Sequence, residues 1–83
     1  MNDKSKKRED NFKKLAPKRL ENAVRALRLI GNLSNKSHYL YSNEDADLIS
    51  KTLKSEVTNT ISQFRIAVSR EKTNKFKLLN FIY

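Results

Sequence analysis

The charged side chains with the clearest spacing for binding chemistry lie in one predicted helix. Lys18, Arg25 and Arg28 follow one another at intervals of seven and three residues, which on a helix places them on one face. Asn32 continues this face, and Leu29 interrupts it with an apolar side chain. Ammonium and guanidinium groups in a row can bind a row of phosphates or an acidic protein groove. The alternative is an ordinary solvated helix face.

The net charge of +9 is concentrated at the two ends of the chain. Residues 1–20 have a net charge of +5 and residues 65–83 of +4, whereas residues 21–64 are neutral. Cationic ends around a neutral middle indicate a polyanionic partner. The alternatives are a solubilising N-terminal segment and cations that stabilise a helix C-terminus. The candidate contacts from the two ends are Lys6, Lys7, Arg8, Lys72 and Lys75.

Two tyrosines lie in a polar segment that predicts a loop between helices. Tyr39 and Tyr41, beside His38, could stack on unpaired bases of a nucleic acid. Alternatively, both rings close the open end of a helical hairpin. We therefore include Tyr39 and Tyr41 among the candidate contacts.

Catalytic and metal chemistry have little support in the residue types. The chain contains no cysteine, one histidine and one glycine, so disulfides, thiolate metal sites and glycine-rich phosphate loops are excluded. Ser37, His38 and Asp45 can be written as a triad, but we expect no pocket around them in so short a chain. We expect no enzyme activity, no cofactor and no metal.

The apolar spacing predicts two helices that position these side chains. Pro17 suits the first position of a helix over about residues 17–34. Ser42 and Asp45 have the spacing of a capping box for a second helix, over about residues 43–70. Apolar residues recur every three or four positions in both helices. The first stripe contains Leu20, Ala23, Val24, Leu27 and Ile30, and the second Ala46, Ile49, Leu53, Val57, Ile61, Phe64, Ala67 and Val68.

The resulting fold prediction is all-α, an antiparallel helical hairpin over residues 11–70. Residues 1–10 contain no apolar residue after Met1 and predict a mobile basic arm. Residues 71–75 predict a break, and the apolar segment 76–83 a short third helix or a strand. Two amphipathic helices leave one apolar side uncovered, so we expect completion by self-association as a homo-oligomer or by the third helix.

A short run in the middle of the chain resembles a known group of proteins. The run from Arg28 to Asn35, followed by Tyr39, Tyr41 and the acidic helix start at Glu44, is similar to small uncharacterised bacterial proteins. These share an Arg-x-Ile-Gly-Asn-Leu motif and a tyrosine-rich loop. The resemblance covers about residues 18–65 and implies a helix–loop–helix unit without a transferable activity.

Three functions remain open at this level. The first hypothesis is non-enzymatic binding of DNA or RNA with weak sequence specificity, in which six to ten phosphate contacts would lower affinity ~10³–10⁵-fold between 50 and 200 mM salt. The second is a protein–protein adaptor or a small inhibitory or accessory subunit of a larger nucleic-acid-processing machine. The third is a helix on an anionic membrane surface. The absence of cysteine, of a secretory signal and of a membrane span predicts a cytoplasmic location.

Overall fold

The computed structural model describes the backbone of residues 3–82 and the side chains of residues 3–71. It contains two helices, α1 (Asp3–Asn32) and α2 (Asn43–Ile82), and no strand among the described residues. The all-α prediction is confirmed. The chain divides into two compact units, Met1–Leu40 and Tyr41–Tyr83. The antiparallel packing of the two helices stays a prediction.

Helix α1 begins at Asp3 instead of Pro17, so the expected mobile arm is corrected to helix from Asp3 onward. The local cause is the charge pattern. The Lys6 ammonium lies 3.7 Å from the Asp10 carboxylate, one turn along the helix. Glu9 and Lys13 form a second such pair at 2.7 Å, with the acid on the N-terminal side, the more favourable order. Lysine, arginine and glutamate are also good helix formers.

Pro17 lies inside α1 and not at its start. The proline ring has no N–H, so the carbonyl oxygen of Lys13 lacks its usual donor four residues later. An interior proline costs a helix about 3 kcal/mol. Proline is favoured at the first position of a helix, which predicts a start at Pro17, but the charged pairs on the preceding turns favour helix there as well.

The connection between the helices is held by local hydrogen bonds. Leu33 N–H donates to Ile30 O at 3.0 Å, which closes the last turn of α1. The N–H groups of His38 and Tyr39 both donate to Asn35 O, at 3.1 and 3.0 Å. Asn35 Oδ1 also accepts from Ser37 N–H at 3.0 Å, a turn that asparagine side chains commonly form. Asn35 therefore organises the loop.

The predicted capping box at the start of α2 is confirmed. Ser42 N–H donates to Asp45 Oδ2 at 3.0 Å, and Asp45 N–H donates to Ser42 Oγ at 3.1 Å. These reciprocal bonds satisfy N–H groups that a helix start leaves without intrahelical partners.

Helix α2 continues to Ile82, without the break predicted at residues 71–75, and the separate role of segment 76–83 stays a prediction. No glycine or proline follows residue 42, and without such a residue nothing local forces the helix to end. The candidate contacts Lys72 and Lys75 belong to this helix, and their side chains lie outside the described residues.

Within the described part of the chain, no side chain is buried. The apolar stripe of α1 is exposed at Leu20 (68%) and Leu27 (42%), and that of α2 at Val57 (47%) and Phe64 (59%). The helices are therefore held by backbone hydrogen bonds, caps and ion pairs one turn apart. Both are longer than the roughly 12–15 residues below which isolated helices are marginal, and each has an exposed apolar stripe among its described side chains.

Candidate nucleic-acid interface

The unbroken course of α1 brings four cations into one line. Lys7, Lys14, Lys18 and Arg25 are separated by seven, four and seven residues. At about 100° per residue, all four lie within about 40° of one another around the helix axis. With a rise of about 1.5 Å per residue, the line extends about 27 Å. We call these four side chains the basic ridge.

The basic ridge is open to solvent along its length. The Arg25 guanidinium pairs with the carboxylate of Glu21, one turn earlier on the helix. Among the described residues, Lys7, Lys14 and Lys18 have no ion pair. An exposed pair such as Arg25–Glu21 contributes only ~0.2–1 kcal/mol, so an incoming phosphate can replace it. All four cations are thus available to an anion.

Polar and apolar side chains fill the spaces between the cations. Asn11 lies close to the same line, and Leu29 and Asn32 extend it beyond Arg25. Leu29 is 67% exposed. The carboxamide of asparagine can donate to a phosphate and can also pair with a base edge.

The structure separates the candidate residues of the predicted helix face. Lys18 and Arg25 belong to the basic ridge, while Arg28 lies about 60° away from Arg25 around the helix axis. Asn32 is the last residue of α1. The predicted face therefore exists, but it continues towards the N-terminus and Arg28 stands at its border.

The cations of the expected arm are also divided. Lys7 joins the basic ridge, whereas Lys6 and Arg8 lie about 100° to either side of it. Lys14 is a member of the ridge that sequence reasoning missed. Its signal was present in the spacing of Lys7, Lys14 and Lys18, but a helix start at Pro17 removed the first two from the pattern.

The loop presents two tyrosines in different environments. Tyr39 is 48% exposed, and its ring contacts the His38 imidazole edge-on, with centroids 6.4 Å apart. Tyr41 is half-buried. Leu40, which sequence reasoning also missed, is fully exposed at 102%. A polar loop with one completely exposed leucine gives no periodic signal that could have identified it.

Other kinds of site have little support in the described residues. No group of three or more metal-ligating side chains is found there. Within the described residues, neither α1 nor α2 is long and apolar enough to cross a membrane. The pKa of Asp45 is lowered, chiefly because Ser42 N–H donates to its carboxylate and also through its contact with the Ser42 hydroxyl. This shift belongs to the helix cap and gives no indication of catalysis.

Comparison with protein-family models, curated proteins and solved structures finds no match to this chain. The resemblance of residues 18–65 to small bacterial proteins stays a prediction. The basic ridge and the exposed loop are therefore the features of this chain that bear on its function.

Proposed function

We propose that this chain is a small non-enzymatic nucleic-acid-binding protein that contacts the phosphates of DNA or RNA through the basic ridge of α1. The observation that carries the proposal is the alignment of Lys7, Lys14, Lys18 and Arg25 on one exposed helix face. Lys7 was predicted to lie in a mobile arm, and Lys18 and Arg25 on a separate helix face. The alignment brings these cations together on one surface of α1.

The length of the ridge suits a nucleic-acid backbone. Duplex DNA carries one negative charge per ~1.7 Å of its axis, so a ridge about 27 Å long faces many more phosphates than it has cations. Four cations can then be accommodated in many positions along the duplex. Few side chains along the ridge could read base edges, namely Asn11 between the cations and Arg25 and Asn32 at the C-terminal end, and we therefore propose weak sequence specificity.

The number of ridge cations sets the expected salt dependence. Four phosphate contacts give a slope of about −3.6 in a plot of log affinity against log salt concentration. Affinity would then fall about 150-fold between 50 and 200 mM salt. This is less than the fall expected for six to ten contacts, because the remaining cations lie away from the ridge or outside the described side chains.

The test is a fluorescence anisotropy titration of labelled duplex DNA, duplex RNA and single strands at several salt concentrations. A polyglutamate peptide of equal charge serves as a matched polyanion without phosphates. Binding to nucleic acid with a slope near −3.6 supports the proposal. Affinity that does not change with salt, or equal affinity for polyglutamate, contradicts it.

The second candidate function is a protein-binding accessory subunit of a larger nucleic-acid-processing machine. The observation that favours it is the exposure of Leu40 at 102% and Leu29 at 67%, because apolar side chains of this kind anchor protein interfaces. On this alternative, the purified chain has no affinity for nucleic acid at 50 mM salt. Leu40→Ser would then weaken its complex with the protein partner and leave the helicity of the chain unchanged.

A further inference from the structure

We propose that the apolar face of α2 binds α2 of a second copy of this chain in antiparallel orientation, with Glu56 of each copy opposite Arg70 of the other. The proposal concerns α2 alone and goes beyond the proposed function, since it does not depend on nucleic-acid binding. It assigns a specific face, a direction and an axial alignment to the self-association expected from the sequence.

The α2 apolar face extends over about five turns of helix. Its residues are three or four positions apart, and Ile49, Val57 and Phe64 are exposed at 40%, 47% and 59%. Such spacing is typical of helices that pack side by side with interleaved side chains. The residues of the face are Ile49, Leu53, Val57, Thr60, Phe64 and Ala67.

The single hydroxyl on this face is satisfied within the helix. Thr60 Oγ1 donates to the carbonyl oxygen of Glu56 at 2.8 Å. A threonine that bonds its own helix in this way does not need water as an acceptor, so covering the face leaves no unpaired donor at Thr60. The apolar face is thus continuous from Ile49 to Ala67.

Charge complementarity identifies the occupant as a second α2 and sets its direction. Residues 43–56 have a net charge of −2, and the residues of α2 that follow with described side chains, 57–71, have a net charge of +1. In a parallel pair the like-charged halves would lie side by side, whereas in an antiparallel pair each acidic half meets a basic half. Antiparallel helix dipoles add to this preference. Helix α1 has cations along its whole length, so in neither direction does it match both halves of α2.

Glu56 and Arg70 determine the alignment of the two copies along their axes. They are 14 residues apart, which is two heptads, so both lie on the same flank of the α2 apolar face. Both are exposed, and neither forms an ion pair among the described residues. A two-fold axis at the level of Gln63 places Glu56 of each copy opposite Arg70 of the other. The same alignment sets Phe64 between Thr60 and Phe64 of the second copy.

The test is sedimentation equilibrium of the full chain over about 5–500 μM at 50 mM salt, with no nucleic acid present. The expected result is a reversible dimer of twice the 9.7 kDa chain mass. Phe64→Ser removes the largest side chain at the centre of the contact and should abolish the dimer. Since Phe64 is exposed in the single chain, the helicity of this variant should be unchanged. A monomer throughout the concentration range overturns the proposal.

Charge reversal tests the antiparallel direction separately. Glu56→Arg and Arg70→Glu each create two like-charged contacts and should weaken dimerisation about tenfold, whereas the double variant should restore it. Lys51→Glu makes the same change in charge as Arg70→Glu, but on the opposite side of α2, and should have little effect. In a parallel dimer, neither single variant creates a new repulsion. Single variants that dimerise like the native chain, or a double variant that is not restored, therefore overturn the proposed direction.

Discussion

Removing two members of the basic ridge should weaken nucleic-acid binding far more than removing two other cations of the same helix. The ridge variant is Lys7→Gln with Lys18→Gln, and the control is Arg8→Gln with Arg19→Gln. Both variants lower the net charge by two, and in both the altered residues are eleven positions apart. The control pair lies about 100° from the ridge around the helix axis.

The expected magnitude follows from counterion release. Each phosphate contact contributes about 0.9 to the slope of log affinity against log salt, so the ridge variant should reduce the slope from about −3.6 to about −1.8. At 100 mM salt, the loss of two contacts corresponds to about a 60-fold weaker affinity. The control should keep the native slope and lose only the few-fold attraction that depends on net charge.

The assay is the anisotropy titration with duplex DNA and duplex RNA at 50, 100 and 200 mM salt, with circular dichroism of each variant. Glutamine is a good helix former, so α1 should remain helical in both variants. Equal losses in the ridge variant and the control would show that only net charge matters. That result would refute the assignment of binding to one face of α1.

Three further predictions concern the helices themselves. Pro17→Ala should stabilise α1 by up to about 3 kcal/mol. Circular dichroism should then show higher helicity and a steeper thermal transition. Unchanged helicity would show that the helix does not continue through residue 17. Ser42→Ala should destabilise α2 by about 1 kcal/mol in urea unfolding, because Asp45 N–H loses its acceptor, whereas Ser55→Ala, in the middle of the exposed helix, should not. Because the pKa of Asp45 is lowered from its ordinary 3.8, the cap should stabilise α2 above about pH 4 and lose this effect as the pH falls through the lower value. Helicity of α2 that stays constant from pH 6 to pH 2, or that changes equally in Asp45→Asn, would contradict this assignment.

The features that depend on near neighbours could be predicted from the sequence. The all-α class follows from apolar residues at helical spacing, and the capping box follows from Ser42 and Asp45 three positions apart. Both depend on interactions within about one turn of helix, and residue types alone specify these. The concentration of cations towards the ends was equally evident in the sequence.

The extent of each helix, and with it the composition of the candidate site, was decided only by the three-dimensional structure. Pro17 is compatible with a helix start and with a helix interior. Which of the two occurs depends on whether the free-energy cost of an interior proline is offset by the ion pairs of Lys6 and Glu9, and these contributions must be summed over several turns of helix. Once α1 passes through Pro17, Lys7 and Lys14 fall into line with Lys18 and Arg25. The sequence by itself therefore determined that this protein is helical and cationic, and the structure determined which cations share a surface.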